Sequence, residues 1–185
     1  MVTGDRVAAS AVEAPAAAEA RAAEARAVAE TVTDPELPML TLRDLGVLRD
    51  VRVAPDGAVQ VTITPTYTGC PAVQTMRDDL RARLAEAGFT RVEVRTVLHP
   101  PWTTDMISKA GRRKLAAAGI APPGPAPRRT SGPIPLTLGP PRTAVRCPRC
   151  GSPDTDELSR FGSTACKSLR RCRACREPFE HFKEI

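Results

Sequence analysis

The chain has 185 residues, a net charge of +6 and only 3% aromatic residues, which bounds it to one domain or two small ones with cores of Val, Leu, Ile and Ala. No apolar run reaches the roughly 18 residues that a membrane helix needs, and Met1 to Ala20 lack the basic start and apolar core of a secretory leader. The chain therefore reads as cytoplasmic, with no membrane partner.

Residues 1–15 are small and polar without an apolar period, and read as a disordered arm. From Ala16 to Val32, Ala, Glu and Arg dominate and predict a helix, stopped at Thr33-Asp34-Pro35 because the residue before proline disfavours the helical region. Asp34-Pro35-Glu36-Leu37-Pro38 is a proline-bounded loop with two carboxylates; it is either a binding loop or a stiff turn. Leu45 to Val53 and Ala58 to Thr64 alternate apolar and polar about Pro55-Asp56-Gly57, which predicts a hairpin.

Thr64-Pro65-Thr66-Tyr67-Thr68-Gly69-Cys70-Pro71 leaves that hairpin and enters a helix over Pro71–Ala87, striped with Val73, Met76, Leu80 and Leu84 and closed by Gly88. Cys70 falls at or just before the helix N-terminus, where free N–H groups and the dipole favour a thiolate. Gly69 admits close approach, and Thr66 and Thr68 offer hydroxyl donors. A thiolate there ligates metal or attacks an electrophile; the plainer alternative is a small buried residue at a helix end.

A third strand is predicted over Arg91–Val97. Leu98-His99-Pro100-Pro101-Trp102-Thr103-Thr104-Asp105-Met106 follows, with Trp102 read as core or lid and His99 as structural. This segment shares a sheet edge with Cys70 only if the third strand runs parallel to the second, as a strand–helix–strand crossover favours. A last helix spans Thr104–Ala118 and stops at Gly119. The order α-β-β-α-β-α predicts an α/β (α+β) domain over 16–120: a three-stranded sheet with helices on one face, in two layers.

Residues 121–146 hold eight prolines and read as a semi-rigid tether. Residues 147–185 form a second module. Cys147-Pro148-Arg149-Cys150 and Cys172-Arg173-Ala174-Cys175 are two C-x2-C turns, which together can point four thiolates at one Zn2+. Two disulfides are the alternative, and they need an oxidising compartment. Cys166 is left over; a buried small residue, a substitute ligand and a partner-facing thiol all remain open, the first being preferred. His181 is a spare ligand candidate for a site four cysteines already fill. Phe161, Phe179 and Phe182 read as the ribbon's own core.

Charge placement separates the function classes. Residues 1–120 carry 15 basic and 15 acidic groups, 121–146 four Arg and no acid, and 147–185 eight basic and six acidic. A nucleic-acid domain usually shows a denser basic face and aromatic–basic interleaving. A thiol redox enzyme needs one C-x2-C turn, not two. The nucleic-acid and redox readings are therefore the weaker ones.

Four motifs in order carry a resemblance. Asp34-Pro35-Glu36-Leu37-Pro38 with Leu45-Gly46-Val47, Thr66-x-x-x-Cys70-Pro71, and Pro101-Trp102-Thr103-Thr104-Asp105-Met106 resemble the iron–sulfur assembly family that includes SufT. Arg160 to Leu169 between the knuckles, and Glu177-Pro178-Phe179 after them, narrow the resemblance to the PaaD (PaaJ) family, encoded with the ring-1,2-epoxidase acting on phenylacetyl-CoA. The resemblance implies that Cys70 is the functional thiol, with Asp34, Glu36 and Thr66 near it; Tyr67 replaces the second of a common threonine pair.

It further implies an accessory role, not catalytic alone, in assembling the metal centres of an epoxidase whose reductase carries an iron–sulfur cluster and whose oxygenase is di-iron. Cofactors would be structural Zn2+ and a transient iron–sulfur cluster. Partners would be the oxygenase and reductase subunits or iron–sulfur assembly proteins. A homodimer sharing a cluster through paired Cys70 residues, and an integral non-catalytic role within the epoxidase, stay open.

Overall fold

The computed structural model describes residues 8–126 and 144–185. Helix α1 (Ala8–Ala29) is followed by β1 (Leu48–Val53), β2 (Val59–Ile63), α2 (Val73–Glu86) and β3 (Val92–Thr96). After a single 3-10 turn at Thr104–Met106 come α3 (Lys109–Ala117) and the short β4 (Ile120–Ala121). The C-terminal part holds β5 (Thr155–Ser159), β6 (Lys167–Cys172) and β7 (Pro178–Phe182). The helix expected from Ala16 begins at Ala8, so part of the segment expected as a disordered arm lies within α1.

β1 and β2 form the expected hairpin, antiparallel with Val51 opposite Val61. Gly57 takes the left-handed φ of 80° that the tight turn requires. β3 lies parallel to β2 with Val61 opposite Val94, giving the sheet order β1-β2-β3. The parallel crossover brings the exits of β2 and β3, and hence the Cys70 loop and the Trp102 segment, to one sheet edge.

α1 packs on β1 and α2 on β3, and the two helices touch each other. Two layers therefore form, as the alternation of patterns implied. α1 has few large apolar residues, but Ala25 and Ala29 are fully buried. Their size lets the helix come close enough for Arg26 to donate to the Val51 carbonyl at 3.0 Å. α2 buries Met76, Leu80 and Leu84, each worth roughly 1.5–3 kcal/mol when removed from water.

The helix expected over Thr104–Ala118 is broken. Ile107 and Ser108 adopt extended φ/ψ, and the Ser108 hydroxyl accepts from Gly111 N–H at 2.9 Å to start α3 afresh. The break lets this segment dock on the loop ahead of β1. Gly46, at φ 71°, has the carbonyl oxygen of Met106 only 2.6 Å from where a Cβ would stand. Trp102 is a core residue here, its Nε1 donating to the Leu45 carbonyl at 2.8 Å.

The second sheet has the order β4-β7-β6-β5. The 21-residue spacer between the knuckles is thus chiefly the β5–β6 hairpin, with β7 pairing to its second strand. β4 pairs parallel to β7, Ile120 opposite Glu180 and Ala121 opposite His181, so this sheet crosses the boundary expected between residues 120 and 121. Most of the expected tether, 127–143, lies outside the described residues; Ala121 and Val145 are buried beside Cys147, Cys172 and Phe179.

Phe182 does not serve a separate ribbon core. It is fully buried in the main core, its ring centroid 6.0 Å from that of Trp102. Phe161 is 66% exposed, with the Lys183 ammonium over its ring. The far end is also tied down: Thr104 N–H donates to the Ile185 carbonyl at 3.0 Å, and Gly124 N–H to Glu184 Oε1 at 2.9 Å.

Candidate metal centre and thiol pocket

The two knuckles converge. The Sγ atoms of Cys147, Cys150, Cys172 and Cys175 all lie within 4.8 Å of one another, with Cys147–Cys175 at 3.8 Å and Cys150–Cys172 at 3.5 Å. A regular tetrahedron of zinc–sulfur bonds of ~2.3 Å has edges of about 3.8 Å, so the four thiols stand close to the spacing that Zn2+ takes. No disulfide joins them.

Both turns are built alike. Gly151 N–H donates to the Cys147 carbonyl, and the chain leaves through a left-handed residue, Gly151 in one case and Arg176 in the other. The backbone N–H of Cys175, together with the adjoining thiols, draws Cys172 down to about 7. Cys175 is pushed up to about 12: the N–H of Glu177 favours its thiolate, but burial and three neighbouring thiols outweigh it. Four thiols this close ionise together only around a cation.

The second constellation gathers three loops. Asp34 is buried, and its Oδ1 accepts from the N–H groups of Glu36 and Leu37, each at 2.8 Å. This folds the Asp34–Pro38 loop into a turn that presents Glu36. Cys70 is half-buried in the β2–α2 loop and packs against the main core. Its charge and those of Asp34 and Glu36 bear on one another. Thr66 is buried in the same loop, whereas Thr68 and Gly69 face solvent. His99 is exposed.

Cys70 differs from the expectation in one respect. α2 starts only at Val73, with Ala72 at its cap, so Cys70 stands short of the helix end. Burial pushes its thiol up, the single N–H of Ala72 pulls it back, and the carboxylates of Glu36 and Asp34 and the thiol of Cys166 push it further up. Burial first, then Asp34, likewise raises Glu36. Cys70 is therefore not the activated thiolate that a helix N-terminus would favour.

Sequence reasoning left Cys166, Lys167 and Tyr67 out of this pocket. Lys167 is buried and paired with Glu180 at 2.8 Å, and its charge reaches Asp34 and Glu36. Tyr67 is raised by burial and then by Cys70, Glu36 and Cys166. The odd thiol at 166 was visible in the sequence; that it joins the core cluster against which Cys70 packs was not, because about a hundred residues separate them. His181 stays clear of the knuckles, lying 3.4 Å from Glu184. Among the described residues no helix is long and apolar enough to cross a membrane.

Comparison with known proteins matches two stretches of the chain. Residues 22–96 match the iron–sulfur cluster assembly protein family, and residues 132–183 the PaaD zinc beta ribbon domain. An Escherichia coli (strain K12) protein assigned to the 1,2-phenylacetyl-CoA epoxidase as one of its subunits is 44% identical over 159 residues, 86% of this chain and 90% of that one. The Fe-S protein maturation auxiliary factor SufT of Staphylococcus aureus (strain USA300) is 35% identical over 88 residues, 47% of this chain and 99% of its own. The crystal structure of a DUF59 domain from Bacillus anthracis superposes with a TM-score of 0.51 at 28% identity, covering 55% of this chain and 96% of that one. With both modules matched in order and a relative aligned along nearly its whole length, the chain belongs to the PaaD family, an iron–sulfur assembly domain joined to a zinc ribbon.

Proposed function

We propose that this protein is an accessory and maturation factor for a multicomponent phenylacetyl-CoA epoxidase of aerobic phenylacetate catabolism. It works in the cytoplasm and is not catalytic alone. The observation that carries this reading is the Cys70 pocket: a half-buried, protonated thiol beside two carboxylates, in a domain matching iron–sulfur assembly proteins. Such a group takes up a thiophilic cation and gives it up again, because protonation competes with the metal.

Cys70 is the thiol that holds iron or an iron–sulfur species in transit, and Asp34 and Glu36 compensate the cation's charge. Thr66 and Thr68 line the loop at its inner and outer sides. Cys147, Cys150, Cys172 and Cys175 hold one structural Zn2+, which supplies folding energy to the ribbon. The oxygenase and reductase components, or iron–sulfur assembly proteins that serve them, are the partners. Nucleic acid is disfavoured, because Arg170, Arg171 and Arg173 on the ribbon are paired with Glu157, Asp154 and Asp156 rather than free to meet phosphates.

Iron content decides the matter. Epoxidase components made in cells lacking this protein, or carrying Cys70→Ala, should be present but poor in iron, and reconstituting their iron should restore turnover without the factor. If turnover still requires the protein after full metal loading, it is an integral component of the enzyme and the maturation reading fails.

A further inference from the structure

The far end of the β5–β6 hairpin carries apolar side chains that the fold does not bury. Among the described residues the exposed large apolar side chains are Leu98, Leu158 and Phe161, and the last two share this hairpin, Phe161 at 66% and Leu158 at 49% exposure. Single exposed apolar residues are ordinary, but these two are held out by the backbone. β5 is an edge strand, and its register with β6 slips between Glu157 and Ser159, at Leu158. A bulge of this kind re-aims a side chain and blunts the edge against strand addition. A partner therefore meets this edge through side chains.

Phe161 stands on a fixed turn. Its N–H donates to Ser159 Oγ at 3.1 Å, Gly162 N–H donates to the Lys167 carbonyl at 2.8 Å, and Ser163 N–H donates to Glu180 Oε1 at 2.6 Å. A Cβ on Gly162 would stand 2.6 Å from that oxygen and 3.2 Å from Lys167 Cβ, so the turn is packed closely on side chains of β6 and β7. Lys183 Nζ donates to the Arg160 carbonyl at 3.2 Å and lies 4.9 Å from the centre of the Phe161 ring. The ring is thus held in place before anything binds, which lowers the ordering cost of association.

The charge about the ring has one sign. Among the described residues neither Arg160 nor Lys183 is paired with a carboxylate, because those on β5 and β7 are engaged: Asp156 with Arg173, Glu157 with Arg170 and Glu180 with Lys167. An aromatic ring flanked by unpaired cations complements an apolar pocket rimmed by carboxylates. The ribbon is also what this chain adds to shorter assembly proteins: the SufT relative, matched by 88 residues along 99% of its length, is too short to hold both modules. A surface on the ribbon therefore suits a partner particular to this chain.

We propose that Leu158, Arg160 and Phe161 form a docking knob for an epoxidase component that presents an apolar pocket rimmed by carboxylates. The proposal rests on the accessory reading above, which supplies the partner. Phe161 fills the pocket, Leu158 covers its edge, and Arg160 and Lys183 meet the carboxylates.

The test uses the full-length, zinc-loaded protein, with the purified oxygenase and reductase components as probes and calorimetry as the readout. The wild type should bind one of them. Phe161→Ala should weaken that binding roughly tenfold or more, as loss of an interface anchor does, with zinc content, circular dichroism and Trp102 emission unchanged. Arg160→Glu should weaken it as well and flatten its dependence on salt; this exposed substitution keeps the test decisive should Phe161→Ala misfold. If both folded variants bind like the wild type, the docking knob is overturned and the accessory reading is untouched. If neither component binds the wild type, the knob also falls, and the iron content of components made without this protein decides the accessory reading separately. A concentration-dependent dimer of the wild type alone, abolished by Phe161→Ala, would put a second copy on the knob and overturn the proposal.

Discussion

The knuckle cysteines and the two remaining thiols, Cys70 and Cys166, stand in different surroundings. At the knuckles four thiols stand within 4.8 Å with no carboxylate among them, and their mutual contacts split them, Cys172 drawn down to about 7 and Cys175 pushed up to about 12. In the pocket the thiols are fewer, lie beside carboxylates and are pushed upward, burial being the largest cause for both. On the proposed reading the first arrangement holds a structural cation on which the ribbon's folding depends, and the second takes up a cation in exchange for protons and gives it up again.

The largest way to break this contrast is at the knuckles. Cys172→Ser, or a strong chelator, should unfold the ribbon, since apparent zinc-binding energies of comparable modules are on the order of 10 kcal/mol. Elemental analysis should find one zinc per chain. Because Phe182 lies in the main core, Trp102 fluorescence should change along with ribbon circular dichroism. A chain lacking zinc, or an ordered ribbon in Cys172→Ser, would remove the structural half of the comparison.

Phe182 measures how far the two modules depend on each other. It is fully buried against Trp102, so Phe182→Ala should cost about 3–5 kcal/mol, read from urea unfolding with a red shift of Trp102 emission. Cutting the chain after Ala121 should expose Trp102 in the same way. If neither change moves Trp102, the modules are independent and the pocket cannot depend on the ribbon.

How much of this was legible follows from the range of each interaction. The hairpin about Asp56-Gly57, the stripe on α2 and the glycine stops at 88 and 119 are decided by residues within one or two turns, and the pattern showed them. The zinc knuckles are local as well. The parallel pairing of β2 and β3 followed from the crossover rule. What stayed hidden is long-range: Phe182 packing on Trp102, β4 pairing with β7, and Cys166 joining the main core. The helix break at Ile107 and Ser108 was missed for a related reason, because docking of this segment on Gly46 and Asp44 overrides its local helical preference. Of the expected pocket, Asp34, Glu36 and Cys70 come together, Thr66 lies buried nearby and Thr68 faces water.

A smaller effect tests the seam between the modules. Burial alone would raise Glu184; the His181 ring 3.4 Å away and the Gly124 N–H outweigh that and hold it down to about 2. A depressed carboxyl stabilises the fold above its ordinary value and loses that contribution as pH falls toward the folded value. The stability difference between wild type and Glu184→Gln should therefore shrink as pH falls from about 5 to about 2. A difference that does not change over that range would mean the Glu184 carboxylate does not hold the seam.

The smallest effect on the fold belongs to the residue with the largest expected effect on function. Cys70 is half-buried and makes no disulfide, so Cys70→Ala should cost about 1–2 kcal/mol, as for one small side chain. Cells carrying it should still fail to grow on phenylacetate, with epoxidase components made but short of iron. The pairing of these two outcomes is what matters. A large stability loss with normal iron loading would place Cys70 with the structural thiols, while a near-neutral fold with iron-poor partners would set it apart from them. Cys172→Ser supplies the mirror image: the module should unfold first, and any loss of iron in the partners should follow from that loss of structure, appearing only at temperatures or zinc levels where the ribbon melts.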